Sequence, residues 1–305
     1  MNHLTKTGLI EENTSILNRL SILAELVKIK ITVLVMLTTL LGYILAASQV
    51  TINLIYPSVG IFLLACGSAA LNQYQERNTD VLMNRTKGRP IPSGRIKAYN
   101  VLIISIIFLI AGSLLLFFKT NTVTLLIGLL AFFWYNGVYT LLKKKTAYAI
   151  IPGSLIGALP PIAGWTAAGG DVFDFDILFI SFYFFVWQIP HFWLLLLIYD
   201  KDYEMGGLPT LTKIFGRKNL INITFALILL TLLIAMLTPF MGFINFNMSI
   251  ILLTVISLGL LYFAIGFLRS PAERKDVLRM FVSINIYTLI MITLLSLDKL
   301  IKLLI

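Results

Sequence analysis

Apolar and polar positions alternate along this chain in long blocks rather than in narrow stripes. Apolar runs of about 18 residues or more exceed what a soluble core needs and match the hydrocarbon thickness of a bilayer. Nine such runs are predicted, near residues 31–49, 52–75, 99–118, 122–142, 148–168, 177–199, 219–242, 248–268 and 277–297. The fold class this implies is an all-α integral membrane protein, since a helix satisfies its own backbone in lipid. Residues 1–30 precede the first run as a polar lead containing His3, and Ile16 to Lys30 has the spacing of an amphipathic helix at the membrane surface. Glu11 and Glu12 interrupt the pattern of a cleaved leader, so the first run is expected to act as its own insertion signal. One helical domain over 31–298 and a short tail over 299–305 complete the expected organisation.

Composition sharpens this picture. Charged residues are only 12% of the chain and the mean hydropathy is +0.92, where a soluble domain carries about twice that charged fraction. A net charge of +10 would suit a nucleic-acid partner, but its placement argues against one. Of the 24 Lys and Arg residues, 21 fall in the lead or around the connections after spans two, four, six and eight. The positive-inside rule then puts those connections and the N-terminus in the cytoplasm and the C-terminus outside, in a cytoplasmic (inner) membrane. Cys66, the only cysteine, sits inside an apolar run, which excludes an intramolecular disulfide and a cysteine metal cluster.

The chemistry is concentrated where the second run ends, in LNQYQERNTDVLMNRTKGRPIPSGR. Asn72, Glu76 and Asp80 are spaced by four, so their oxygen-bearing tips share one helix face. Such a column can hold a hard cation such as magnesium. Arg77 beside it and Arg85, Lys87, Arg89 and Arg95 beyond it can hold the anion that the cation serves. The competing reading is a solvated helix end neutralised locally, Glu76 against Arg77. Ionisable groups beside a span are costly, which favours chemistry.

A second acidic group, Asp200, Asp202 and Glu204, follows span six, and at most two of the three can share a face. Two acidic clusters from different spans could flank a diphosphate through magnesium ions and stabilise charge on a leaving group. His191 lies within span six after Pro190; the residues alone leave open a proton acceptor, a haem ligand or a histidine bonded to a freed carbonyl. Tyr139 and Lys143 are four apart at the end of span four, where a lysine could reach inward to a phosphate. Pro160–Pro161 in span five is expected to disturb the helix and form a cavity wall.

These motifs resemble the UbiA superfamily of intramembrane prenyltransferases: N-x3-E-x3-D running into NRTKGRP, Tyr139-x3-Lys143, and the later acidic cluster. NRTKGRP at 84–90, the stretch 139–167 and WQIPHFW at 187–193 leading to Asp202–Tyr203 are similar to its haem-prenylating branch, and the likeness covers roughly 25–300. The resemblance implies nine helices around a lipid-accessible cavity capped by cytoplasmic loops. It implies Mg2+ on Asn72, Glu76 and Asp80, with Asp202 in the second acidic motif beside Asp200 and Glu204. The diphosphate would lie on Arg85, Lys87, Arg89 and Lys143, with Tyr139 in its conserved pair and His191 against haem. The implied substrates are farnesyl diphosphate and haem B within membrane lipid, and the product would serve terminal oxidase maturation. Two departures stand out: Glu76 replaces the family's Asp, and MGGLPTL follows the second motif. A quinone precursor or lipid acceptor is the alternative within the superfamily. Transport of an anionic solute is the alternative outside it.

Overall fold

The structure is a computed structural model that describes residues 16–49, 51–269 and 273–305. The polar lead through residue 15, with His3, lies outside the described residues. Among the described residues there is no strand, and nine helices are long and apolar enough to cross a membrane. These spans, one to nine, are Ile29–Ala46, Ile52–Asp80, Ala98–Lys119, Thr122–Leu142, Ala147–Ala167, Phe175–Met205, Leu211–Leu237, Asn247–Arg269 and Arg274–Leu304.

Every expected run is therefore a helix, but several overrun their expected ends. Span two continues to Asp80, and span six is 31 residues long, about 46 Å of helix at 1.5 Å per residue. That exceeds the roughly 30 Å hydrocarbon core, so the last turns of both helices carry their carboxylates beyond it. The long loop expected over 200–218 shrinks to 206–210, where Gly207 takes the left-handed conformation at φ 67°.

Consecutive spans pack against each other in sequence, and span nine closes the ring on span one. Spans one and five also cross, as do six and nine. Isoleucines 106, 107 and 110 with Leu114 on span three, and Ile251, Val255 and Leu258 on span eight, turn apolar side chains outward. A continuous apolar exterior of that kind needs lipid around it.

The expectation for Pro160–Pro161 is corrected. Leu155–Ala167 is one continuous helix through both prolines, and both are buried. A Cβ at Gly42 would collide with the Pro161 carbonyl, and one at Gly164 with the Thr39 carbonyl. The prolines thus lie in a close crossing of spans one and five, made possible by glycine on each side.

A helix over 16–26 precedes span one. Gln73 Nε2 donates to the Glu25 and Leu26 carbonyls, and Arg95 pairs with Glu25 at 2.7 Å. Leu26 packs into a small apolar cluster with Ala70 and Val101. The chain then turns sharply at Lys28, the only non-glycine residue with positive φ (52°) among the described residues.

Candidate active site

The end of span two presents Asn72, Glu76 and Asp80 on one buried face, as their spacing predicts. Each is met by a cation from elsewhere in the chain. Arg89, from the turn after span two, donates through one nitrogen to both Asp80 oxygens at 2.8 Å and stands 3.6 Å from Glu76. Lys143, from the end of span four, pairs with Glu76. Lys28, from the bend before span one, donates to Asn72 Oδ1 at 2.8 Å. Asn72 Nδ2 in turn donates to Glu76 Oε1 at 2.6 Å and to Thr140 Oγ1 at 3.2 Å.

Two carboxylates thus face three basic groups, so with Lys28 protonated the cluster carries one positive charge in excess. Such a surplus is costly until an anion arrives, so the cluster is poised for an anionic ligand. Burial pushes the Lys28 ammonium down to about 7, and the nearby Arg89 charge adds to this while Glu76 opposes it. Burial also disfavours the Arg89 charge, but the Asp80 and Glu76 carboxylates together outweigh it and hold that group above its ordinary value.

The donor set fits a hard divalent cation. Oxygens of Asn72, Glu76 and Asp80 are each approached by a positive group, so the positions a cation would take already draw positive charge. No cluster of three His, Cys, Asp or Glu that could hold a metal exists among the described residues. A metal here would therefore need the Asn72 amide and oxygens of its ligand, the pattern magnesium favours.

Span four contributes through an irregular turn. Trp134–Tyr139 is a π-helix, a one-residue bulge that recurs at functional sites. It turns Tyr135 and Tyr139 inward, their rings stacked at 5.7 Å, with Phe192 of span six 6.1 Å from Tyr139. The Tyr135 hydroxyl is 3.4 Å from Lys28 Nζ, and Lys143 lies 5.7 Å from the Tyr139 ring centre.

The second acidic group divides. The Arg85 backbone N–H donates to Asp202 Oδ2 at 2.8 Å, which ties the turn after span two to the end of span six. The Arg85 guanidinium lies over Tyr199 and Tyr203, at 5.2 and 5.9 Å. Asp200 instead faces Arg217 of span seven at 3.3 Å, and Glu204 faces Lys213 at 3.7 Å. The helix loses its regular turn at Tyr199 (φ −123°, ψ 23°), just before the three carboxylates, and beyond it Asp200 and Glu204 share the face toward span seven while Asp202 points away, as their spacing requires. Two other basic residues also point elsewhere. Arg77 bonds the Tyr74 carbonyl at 2.7 Å and lies over that ring, while Lys87 is exposed and holds Asn84 at 2.9 Å.

His191 sits deeper on span six, its ring 4.8 Å from Trp187 and 5.1 Å from Phe281 of span nine. Its Nδ1 is buried without a hydrogen-bond partner. The structure therefore gathers Asn72, Glu76, Asp80, Arg89, Lys143 and Tyr139, joins Arg85 to Asp202, and leaves Arg77, Lys87, Asp200 and Glu204 apart. Sequence reasoning passed over Lys28, Tyr135 and Thr140. Only a lysine placed directly before an apolar run hinted at the first of them.

Comparison with known proteins agrees with this geometry. The chain is 34% identical over 297 residues to a protoheme IX farnesyltransferase of Christiangramia forsetii, covering 93% of this chain and 95% of that one. It is 30% identical over 280 residues to the enzyme of the same name from Oleidesulfovibrio alaskensis, covering 91% and 96%. In three dimensions it resembles a UbiA homologue from Archaeoglobus fulgidus bound to GPP and Mg2+, with a TM-score of 0.67 at 14% identity over 92% of this chain and 99% of that one. Residues 35–285 match the UbiA prenyltransferase family model, and the chain belongs to that family.

Proposed function

We propose that this multi-pass membrane enzyme transfers a farnesyl group from farnesyl diphosphate to a vinyl group of haem B, giving haem O. The observation that carries the reading is the buried column of Asn72, Glu76 and Asp80 under a surplus of basic groups. Full-length relatives named for this reaction support the choice of acceptor.

Magnesium, held by Asn72, Glu76, Asp80 and Asp202 together with diphosphate oxygens, would neutralise charge on the departing group. The side chains do the rest. Arg89, Lys143 and Lys28 turn from the column to the diphosphate oxygens, exchanging one set of anionic partners for another. The contact from Arg85 to Asp202 holds the two loops closed over the diphosphate and excludes water. The allylic C–O bond breaks, and diphosphate leaves with the electron pair. Tyr135, Tyr139 and Phe192 offer π faces to the allylic cation. The haem vinyl supplies the π electrons of the new C–C bond, and water adds to the resulting cation and loses a proton. This leaves the hydroxyethylfarnesyl group. Arg77, Lys87, Asp200 and Glu204 have no part in this proposal. His191 stands on the acceptor side, and the product would serve maturation of a terminal oxidase. The basic connections and the N-terminus would face the cytoplasm.

The test is incubation of the purified protein with haem B, farnesyl diphosphate and magnesium, followed by mass spectrometry of the porphyrin. Haem carrying hydroxyethylfarnesyl, formed only with magnesium, is the expected result. Unmodified haem together with prenylation of a quinone precursor would overturn the acceptor.

A further inference from the structure

Spans six and nine face each other antiparallel along one seam. Tyr183 meets Thr288 at 3.1 Å, Trp187 Nε1 donates to the Ile284 carbonyl at 3.4 Å, and His191 meets Phe281. At the polar end of the same seam, Arg274 lies over the Tyr199 ring at 5.8 Å. Here the turn after span two and the ends of spans six, seven and nine surround an open cleft of about 830 Å³, within the size range of ligand pockets. Arg85, Lys201, Arg217 and Arg274 line it with Asp200 and Asp202, which leaves two positive charges in excess. Arg217 is spent on Asp200 and on the Leu197 carbonyl, whereas Arg274 has no ion-pair partner among the described residues. The diphosphate chemistry of the span-two column uses neither arginine.

Eight residues separate Tyr199 from His191 along span six, and seven separate Arg274 from Phe281 along span nine. At 1.5 Å per residue these intervals are about 12 and about 10.5 Å. The seam therefore has a cationic end, an aromatic wall, and, about two to three helical turns below, an imidazole with an orphaned nitrogen. Haem B has the matching asymmetry, with two propionate carboxylates on one edge and an apolar ring with its iron behind them. We propose that this cleft seats the propionates of the acceptor, with Arg274 as the principal contact and Arg217 supporting it, and the porphyrin lying on the His191 side of them. The proposal rests on haem as the acceptor. It accounts for Arg217 and Arg274, which the diphosphate site leaves unused, and it makes the acceptor's orientation a property of spans six, seven and nine.

The experiment compares haem B with its dimethyl ester, which lacks only the two charges, in the wild-type protein and in Arg274→Gln. Binding is read from the haem absorbance and transfer from KM for each substrate. Wild-type protein should prefer the free acid. Arg274→Gln should weaken the free acid about tenfold, the loss of one charge-assisted hydrogen bond. The same change should leave the ester and the KM for farnesyl diphosphate where they were, and Arg274→Lys should restore part of the preference. An equal loss for acid and ester overturns the proposal, as does a change confined to farnesyl diphosphate. So does a preference that follows only the anionic lipid content of the surrounding bilayer, which would make the cleft a lipid headgroup site. Failure of the wild-type protein to bind or modify haem in any form would instead remove the acceptor reading itself.

Discussion

Asp80 is fully buried, accepts from Arg89 with both oxygens at 2.8 Å, and receives the Thr86 hydroxyl on its carbonyl. Replacing it with the isosteric asparagine keeps the shape and removes the charge. Arg89 would then be a buried cation without its main partner, a loss of about 3–5 kcal/mol for pairs of this kind. The diphosphate site would also lose one of its two column carboxylates. Asp80→Asn is expected to abolish prenyl transfer while the protein still reaches the membrane, with no recovery at high magnesium. Lys87→Ala should leave transfer within about twofold, since Lys87 is exposed and touches only Asn84. The assay is product formation by mass spectrometry at matched protein levels, and activity retained by Asp80→Asn would remove it from the metal set. The column itself was legible because a spacing of four is a local property of a helix. Its partners were not: Arg89 reaches back nine residues through an irregular turn, Lys143 comes from another span, and Lys28 meets Asn72 across 44 residues. The division of Asp200, Asp202 and Glu204 was legible for the same local reason, since only the pair spaced by four shares a face, but which neighbour each face meets was not.

Elements were easier to see than their ends. Apolar runs mark where helix meets lipid, but a helix does not stop at the hydrocarbon boundary. Spans two and six carry their acidic ends past it, and sequence reading takes those turns for loop. The π-helix at Trp134–Tyr139 is likewise silent in the sequence, since the poor helix formers Asn136 and Gly137 mark a weak stretch but not one extra residue in a turn. Pro160–Pro161 shows the opposite error. A residue pair that breaks isolated helices is carried here inside a continuous one, wedged against Gly42 of span one. The same crossing places Gly164 against the Thr39 carbonyl, where a neighbouring backbone has no room to yield. Gly164→Val should therefore push spans one and five apart. Overpacking a tight contact costs about 1–3 kcal/mol, more where the obstacle is backbone. A clear fall in thermal unfolding temperature in detergent is the expected outcome, with Gly259→Val, which meets nothing within 4 Å, as the matched control. Equal unfolding temperatures for the two variants would show that the crossing is looser than its geometry requires.

For the whole molecule, the asymmetry of charge and the placement of the site are one fact. The column, the Arg85–Asp202 tie and the cleft at Arg274 all lie at the ends of the spans where the basic connections gather, while the opposite connections hold Lys119 as their only Lys or Arg. Basic residues resist translocation, so the face that holds the diphosphate chemistry is also the face that should stay in the cytoplasm. A water-soluble diphosphate headgroup would then enter from that side while its isoprenoid tail stays in lipid. This orientation is testable without reference to activity, because Cys66 is the only cysteine and is buried. Gly88 lies in the basic turn with open space around it, and Thr122 is exposed at the start of span four on the opposite face. In intact cells a membrane-impermeant maleimide should label Thr122→Cys and spare Gly88→Cys, and after the membrane is opened it should label both. The reverse pattern would turn the molecule over, and would leave its diphosphate site facing a compartment that its charge distribution argues against.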